Sequence, residues 1–104
     1  NICDKRPPMS EVRAEFPMVD WSAIADEHDP LWQDDVPESG ASVSDRGYAF
    51  LLWLRDRPEN EVAVGTHSAW LFTLLNAVVE CAEPGLASWF LTGEMRSVVL
   101  RFAE

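Results

Sequence analysis

The junction at residues 61–71 constrains the fold of this chain more than any other stretch. Val62, Ala63 and Val64 form a short continuous apolar run, which predicts a strand over 61–66 that is covered on both faces. Gly65 and Thr66 allow a tight exit from that strand. From residue 68 to about 80, apolar residues occupy nearly every face, so the segment predicts a buried helix.

His67 stands between the predicted strand and the predicted helix. The first N–H groups of a helix lack internal partners, and the peptide dipoles add positive potential there. A phosphate is therefore expected to bind the amides of Ser68, Ala69 and Trp70, with His67 alongside. A surface or capping role for the histidine is the alternative. A serine hydrolase is rejected, because Ser68 is one place late for a nucleophile elbow.

Composition bounds the function classes. The 104 residues fit one small domain or part of a larger one, and 47% of them are hydrophobic. Eighteen acidic and eight basic residues give a net charge of −10, which argues against nucleic acid as a partner. The same charge suits an anionic substrate only if the few bases converge on one pocket.

The cysteine and histidine positions predict no cofactor and no metal. Cys3 and Cys81 are far apart, as are His28 and His67, so none of them forms a ligand cluster. Two separated thiols suggest a reducing compartment, and we expect a cytoplasmic protein with no membrane segment. The longest apolar stretch, Ala69 to Val79, is too short to span a bilayer.

Residues 1–40 predict a loop-rich insertion, because prolines and acids recur throughout. A short helix is expected from Ser10, as N-cap, to Phe16, and another helical turn after Asp20. His28 lies in an acidic stretch and is expected to be an exposed residue without a function.

Residues 41–104 predict the order helix, strand, helix, strand. The first helix runs from Ser42 to Arg57, with Ser42 and Asp45 resembling a capping box. A partial helix is expected over 86–90 and a final strand over 96–102. Glu94 and Arg96, at the entry to that strand, are expected to form surface ion pairs, with Arg46 or Arg101 as partners. This order is typical of a layered α/β sandwich. Two strands do not make a stable sheet, so the missing strands should come from an upstream segment or another chain.

Several short motifs, taken in their order along the chain, resemble the C-terminal half of a phosphoglycerate-mutase-like protein. Such proteins belong to the histidine phosphatase superfamily, and the resemblance is to the type common in plants, algae and fungi. The most specific parts are Thr66–Ser68 and Glu94–Val99. The motifs are Cys3–Arg6, Phe16–Trp21, Glu38–Ser39, Arg46–Gly47, Phe50–Leu51, Trp53–Leu54, Arg57–Glu59, Val64–Ser68 and Gly93–Leu100.

The resemblance implies a partial three-layer α/β sandwich that lacks its N-terminal strands, and a phosphohistidine mechanism. In such proteins the histidine of an Arg-His-Gly motif attacks the phosphoryl group, and a second histidine, matching His67, helps to hold it. Ser68 matches the residue whose N–H binds the phosphate. Lys5 and Arg6 are further candidates for phosphate binding, although an exposed structural role is their alternative.

The chain departs from the family pattern at positions that affect the expected activity. No Arg-His-Gly occurs in the chain, so the nucleophile is absent and the chain alone is expected to be inactive. Gly65 replaces a usual Val, and Trp70 either narrows the pocket or fills the core. The expected partners are a phosphorylated small molecule or phosphoprotein and the missing N-terminal half of the fold. A non-catalytic pseudophosphatase, or a binding and assembly module, is the alternative function.

Overall fold

The computed structural model describes residues 4–103, which divide into two compact units, residues 4–37 and residues 38–103. Three α-helices lie in this part of the chain: α1 (Met9–Glu15), α2 (Gly40–Arg55) and α3 (Ser68–Thr73). The last helix continues as a π-helical turn, Leu74–Val78, and a 3₁₀ turn follows at Pro84–Ala87. Within residues 4–103, no helix has the length and apolarity needed to cross a bilayer.

The first unit is organised around α1 and the loop that contains Glu27. Met9, at the start of the helix, is fully buried, and its N–H donates to the Glu27 carbonyl at 2.8 Å. Arg6 also donates to that carbonyl, at 3.1 Å, and Arg13 donates to the carbonyl of Ile24 at 3.1 Å. Because guanidinium donors satisfy these loop carbonyls, a unit with little apolar core still has a defined loop.

The predicted N-cap of α1 is wrong, and the helical turn predicted after Asp20, over Trp21 to Ile24, is a hydrogen-bonded turn and not a helix. Pro8 is the N-cap, and the Ser10 N–H donates to the Glu27 carboxylate at 2.5 Å. Proline suits this position because its missing N–H costs no helical hydrogen bond. The Ile24 N–H donates to the Trp21 carbonyl at 2.9 Å without further helix.

In the second unit, α2 begins two residues before the predicted start at Ser42, and its cap differs from the predicted one. The Ser39 hydroxyl accepts from the Ser42 N–H at 3.1 Å, so Ser39 is the N-cap. The Ser42 hydroxyl instead donates to the Glu38 carboxylate at 2.6 Å. The capping box of Ser42 and Asp45 is therefore wrong. The helix ends at Arg55, ahead of Pro58.

A small apolar core joins α2 to α3 and its π-helical continuation. Leu51, Leu74 and Phe90 are buried in this unit. Gly47 allows the close approach, because a Cβ at that position would lie 3.0 Å from the Leu74 Cδ1 atom. The Phe50 ring packs edge-on against Trp70 at a centroid distance of 5.4 Å.

The predicted buried helix over 68–80 changes character half-way along. The Val79 N–H donates to the Leu74 carbonyl at 2.9 Å, which is the longer repeat of a π-helix. The Asn76 side-chain amide donates both to the Phe72 carbonyl at 2.8 Å and to the Ala87 carbonyl at 2.9 Å. This side chain links the widened turn to the 3₁₀ turn, which replaces the partial helix expected over 86–90.

The α/β fold class predicted from the sequence is wrong, because residues 4–103 contain no strand and no sheet. Both segments expected to be strands, 61–66 and 96–102, lack regular secondary structure. Neither forms a backbone–backbone hydrogen bond with any other described residue. A strand exists only when a neighbouring strand accepts and donates its ladder bonds, and an apolar run does not supply that neighbour.

Arg96 ties the end of the chain to the loop around the 3₁₀ turn. Its guanidinium donates to the carbonyls of Leu86 at 3.0 Å, Ser88 at 2.7 Å and Trp89 at 2.9 Å. It also pairs with Glu94 at 2.6 Å and lies over the Phe90 ring at 3.8 Å from the centroid. Glu94 and Arg96 thus pair with each other, and the expected pairing with Arg46 or Arg101 is replaced by this internal one.

Candidate functional site

His67 is the N-cap residue of α3. Its backbone is extended, with φ −85° and ψ 148°, and its carbonyl accepts from the Leu71 N–H at 3.1 Å. Its side chain makes no capping hydrogen bond and is exposed. The imidazole therefore sits at the amino end of the helix, on an accessible surface, with Ser68 as the first helical residue.

An open cavity of about 320 Å³ lies beside His67, within the second unit. One wall comes from α2, another from the irregular segment that ends at His67, and a third from α3. The lining residues are Arg46, Phe50, Val64, Gly65, Thr66, His67 and Trp70. The cavity thus combines a guanidinium, an imidazole and a hydroxyl with two aromatic walls.

Arg46 brings positive charge to this cavity together with a counter-charge. Its Nε and Nη2 atoms each donate to a different oxygen of Glu38, both at 2.7 Å. These hydrogen bonds, together with one from the Ser42 hydroxyl, lower the pKa of Glu38 to about 2. The carboxylate stays ionised at neutral pH, so an anion in the cavity would share Arg46 with Glu38.

Trp70 is half-buried: it lines the cavity and packs against Phe50. The edge-on contact of the two rings stabilises the aromatic side of the cavity. Gly65 lies on the irregular segment, and a Cβ atom added to it would have no other heavy atom within 4 Å. A larger residue at position 65 would therefore find open space.

Comparison with known proteins shows which proteins this chain is similar to. No protein family model matches the chain, and no solved structure matches it. Over 102 residues, 94% of the chain, it is 40% identical to phosphoglycerate mutase-like protein 1 and 36% identical to phosphoglycerate mutase-like protein 2, both of Arabidopsis thaliana. The chain is similar to phosphoglycerate mutase-like proteins over nearly its whole length. The resemblance predicted from the motifs is confirmed.

The match covers only part of each family protein. A third relative from Arabidopsis thaliana, named phosphoglycerate mutase-like protein, is 39% identical over 94% of the chain. The chain spans 36%, 30% and 38% of the length of these three relatives, or about a third. The prediction that this third is the C-terminal part stays a prediction.

Lys5 and Arg6, the other phosphate-binding candidates, lie in the first unit. The Lys5 Nζ atom lies 3.6 Å from a carboxylate oxygen of Asp34, and Arg6 donates to the carbonyls of Asp26 and Glu27. These contacts give both side chains a structural role. All residues that line the cavity belong to the second unit. Phosphate binding by Lys5 and Arg6 stays a prediction.

Sequence reasoning misses Arg46 as a cavity residue, since the helical pattern places it away from the apolar face of α2. The available signal is its spacing: Arg46 precedes Phe50 by one helical turn on the helix before the His67 junction. His28 lies in an exposed loop, and Cys3 lies outside the described residues. Residues 4–103 contain no group of three or more His, Cys, Asp or Glu side chains able to hold a metal ion.

Proposed function

We propose that this chain is a portion of a phosphoglycerate-mutase-like histidine phosphatase, in which His67 helps to hold the phosphoryl group of a phosphate ester. The observation that carries the proposal is the cavity shared by His67 and Arg46, in a chain similar to phosphoglycerate mutase-like proteins over 94% of its length. Imidazole and guanidinium groups at one opening suit an oxyanion better than an apolar ligand.

The chemistry assigned to His67 is charge stabilisation. During phosphoryl transfer, negative charge spreads over three equatorial oxygens, and preorganised donors stabilise it. His67, the Ser68 N–H and Arg46 are the donors that this chain offers. Because the cavity is open, the reacting phosphoryl group reaches them without a rearrangement of α3.

The attacking group belongs to the remainder of the protein. A histidine nitrogen there forms a bond to phosphorus while the ester oxygen leaves and is protonated by an acid, and water then hydrolyses the phosphohistidine. This chain contains no Arg-His-Gly sequence, so we expect no turnover from it alone. The ligand is a phosphorylated small molecule or a phosphoprotein, and the setting is a reducing compartment such as the cytoplasm.

A second candidate function is a non-catalytic binding module of the same family. The bidentate contact between Glu38 and Arg46, both bonds at 2.7 Å, favours it, because the ionised carboxylate offsets the cation that a phosphate needs. The net charge of −10 acts in the same direction. Under this alternative, the cavity binds inorganic phosphate weakly or not at all.

Calorimetric titration with inorganic phosphate separates the two candidates. We expect saturable binding by the unaltered chain, and at least a tenfold weaker affinity in His67→Ala, because one donor to the oxyanion is removed. His28→Ala is the matched control, since it removes the other histidine from an exposed loop and should bind phosphate like the unaltered chain.

A phosphatase assay tests whether the attacking group lies outside this chain. With p-nitrophenyl phosphate as substrate, the purified chain should release no product above background. Equal phosphate affinities in His67→Ala and in the unaltered chain would refute the proposal. So would hydrolysis by the purified chain that is lost in His67→Ala, because the chain would then carry its own complete mechanism.

A further inference from the structure

The cavity beside His67 has a polar end and an aromatic end. On α2, Arg46 is followed by Phe50 one helical turn later, and His67, the N-cap of α3, is followed by Trp70 one turn later. The rings of Phe50 and Trp70 contact each other edge-on at a centroid distance of 5.4 Å. Both helices therefore bring their aromatic residue to the same end of the cavity.

The aromatic end is held by packing within the chain itself. The Phe50 ring also stacks on the Trp53 ring, at a centroid distance of 5.8 Å and an interplanar angle of 28°. The Arg57 guanidinium in turn lies over the Trp53 ring, 5.3 Å from its centroid. Because these rings are already packed, a ligand that binds against them costs little conformational freedom of the protein, and this favours its affinity.

Both rings of the aromatic end still present surface to the cavity. Phe50 and Trp70 are half-buried, and each lines the cavity in addition to its contact with the other ring. In an edge-on pair, the ring that presents its edge keeps both faces uncovered by its partner. A planar group in the cavity can pack on such a surface in the offset or edge-on geometry that aromatic rings prefer.

The charges in the cavity limit what a phosphoryl group contributes to binding. Arg46 donates two hydrogen bonds of 2.7 Å to Glu38, so a bound anion competes with an ionised carboxylate. Among the described residues that line the cavity, Arg46 is the one arginine and none is a lysine. A second anionic group on the ligand would therefore meet no further guanidinium or ammonium group there. An uncharged organic group suits the cavity better, in a chain of net charge −10.

The size of the cavity limits that organic group to about one ring. Small-molecule sites have volumes of about 300–1,000 Å³, and this cavity, of about 320 Å³, lies at the lower end of that range. We propose that the cavity selects an aryl phosphate monoester, with its phosphoryl group at the polar end and its uncharged ring packed against Trp70 and Phe50. The inference rests on the proposed function for the phosphoryl group, and it adds these two residues as determinants of substrate preference.

Calorimetric titration of the unaltered chain with three phosphate esters tests the preference. Phenyl phosphate carries an uncharged aromatic ring, cyclohexyl phosphate carries an apolar ring without π electrons, and 3-phosphoglycerate carries a second anionic group. We expect phenyl phosphate to bind about tenfold more tightly than inorganic phosphate and about threefold more tightly than cyclohexyl phosphate. The affinity for 3-phosphoglycerate should not exceed that for inorganic phosphate. Because we expect no turnover from the chain alone, phenyl phosphate is not consumed during the titration.

Two substitutions at the aromatic end should remove the preference. Trp70→Leu and Phe50→Leu each replace a ring by an apolar side chain, and the ratio of phenyl phosphate affinity to inorganic phosphate affinity should fall to about threefold or less. Trp89→Leu is the matched control, because Trp89 lies in the same unit and packs against Phe72 at 5.2 Å but does not line the cavity. Its affinity ratio should equal that of the unaltered chain. Circular dichroism shows whether each variant is folded.

The outcomes distinguish this inference from the proposed function. Saturable phosphate binding without a preference for phenyl phosphate would overturn the inference and retain the phosphoryl site. So would a preference that both Trp70→Leu and Phe50→Leu retain, or one that cyclohexyl phosphate matches. Loss of the preference in Trp89→Leu as well would also overturn the inference, because the effect would not belong to the cavity.

The opposite combination of results would refute only the role of His67. In that case the preference for phenyl phosphate is lost in Trp70→Leu and kept in Trp89→Leu, while His67→Ala binds inorganic phosphate as tightly as the unaltered chain. The aromatic end would then select the ligand, and the phosphoryl group would be held without the imidazole.

Discussion

Two parts of the second unit differ in how they are held. The loop around the 3₁₀ turn is fixed by one guanidinium, since Arg96 donates to three of its carbonyls and pairs with Glu94. The segment 58–66, which leads to His67, forms no backbone–backbone hydrogen bond with any other described residue. The comparison teaches that side-chain donors can fix an irregular segment in this unit, and that the segment leading to His67 has no backbone hydrogen bonds to other described residues to hold it in the same way.

The largest effect on stability is expected at the loop around the 3₁₀ turn, which Arg96 holds. Arg96→Ala removes the guanidinium donors to the three carbonyls and should lower the free energy of unfolding by about 2–3 kcal/mol, because hydrogen bonds from charged donors contribute most when partly buried. Urea unfolding followed by circular dichroism measures it. Arg55→Ala, at an exposed pair with Asp56, is the control and should change stability by less than about 0.5 kcal/mol.

Equal losses in Arg96→Ala and Arg55→Ala would show that the loop is held by something other than the guanidinium. Arg96→Lys sharpens the comparison, because lysine keeps the charge but lacks the planar fork that reaches several carbonyls. We expect its stability to fall between those of the unaltered chain and Arg96→Ala.

The next largest effect on stability is expected where α2 packs against the π-helical turn. Gly47→Val should destabilise the chain by about 1–3 kcal/mol, because its Cβ alone would lie 3.0 Å from Leu74 Cδ1 and the branches add further volume. Thermal unfolding measures the change. Gly40→Val is the control in the same helix, since no heavy atom lies within 4 Å of its Cβ position. A Gly47→Val variant as stable as Gly40→Val would contradict the close packing.

A smaller effect should appear with pH. The pKa of Glu38 is lowered from 4.5 to about 2 by Arg46 and then by Ser42, so its contribution to stability is present above pH 4.5 and is lost as the pH falls towards 2. The pair is partly exposed, which limits the contribution to about 1 kcal/mol or less. Glu38→Gln should therefore narrow the stability difference between pH 6 and pH 3.

Two other carboxylates are unaffected by replacing Glu38. Hydrogen bonds from Ser22 lower the pKa of Asp20, and a hydrogen bond from Arg96 lowers the pKa of Glu94. Part of the acid sensitivity should thus persist in Glu38→Gln. An unaltered pH profile in this variant would contradict the assigned role of the Glu38 contact with Arg46.

The smallest effect on stability is expected in the segment 58–66, which leads to His67. Val64→Ala should change the stability of the chain alone by less than about 0.5 kcal/mol, because Val64 is 46% exposed and lines the open cavity beside His67. Chemical unfolding of the chain alone measures it. A loss above about 1 kcal/mol would mean that the segment is held within the unit, and the contrast with the Arg96 loop would disappear.

The helices show how far sequence reasoning reaches. The sequence predicts the position of α2 to within about two residues at each end, because helical periodicity and the break at Pro58 are local signals. The predicted position of its cap is wrong, since Glu38 competes for the Ser42 hydroxyl across one helical turn. Such a side-chain contact is not encoded in a three-residue capping pattern.

The strands show where sequence reasoning ends. Residues 61–66 and 96–102 have strand-like apolar patterns, yet pairing requires a partner that the described chain does not contain. The contributions of Arg46 and Arg96 escape prediction for a related reason. Arg46 acts at the cavity and Arg96 acts on the loop of residues 86–89. The spacing of Arg46 from Phe50 places both on one side of α2, but the cavity exists only once residues 64–67 lie beside that helix. No spacing signal specifies the Arg96 contacts.

The most direct test of the central claim is nuclear magnetic resonance of the ¹⁵N-labelled chain during titration with inorganic phosphate. We predict that the largest shifts fall on the backbone amides of residues 65–68 and on the Arg46 side chain, and that they saturate together with one dissociation constant. Shifts that are largest at Lys5 and Arg6, with residues 65–68 unchanged, would contradict the assignment of a phosphoryl site to His67.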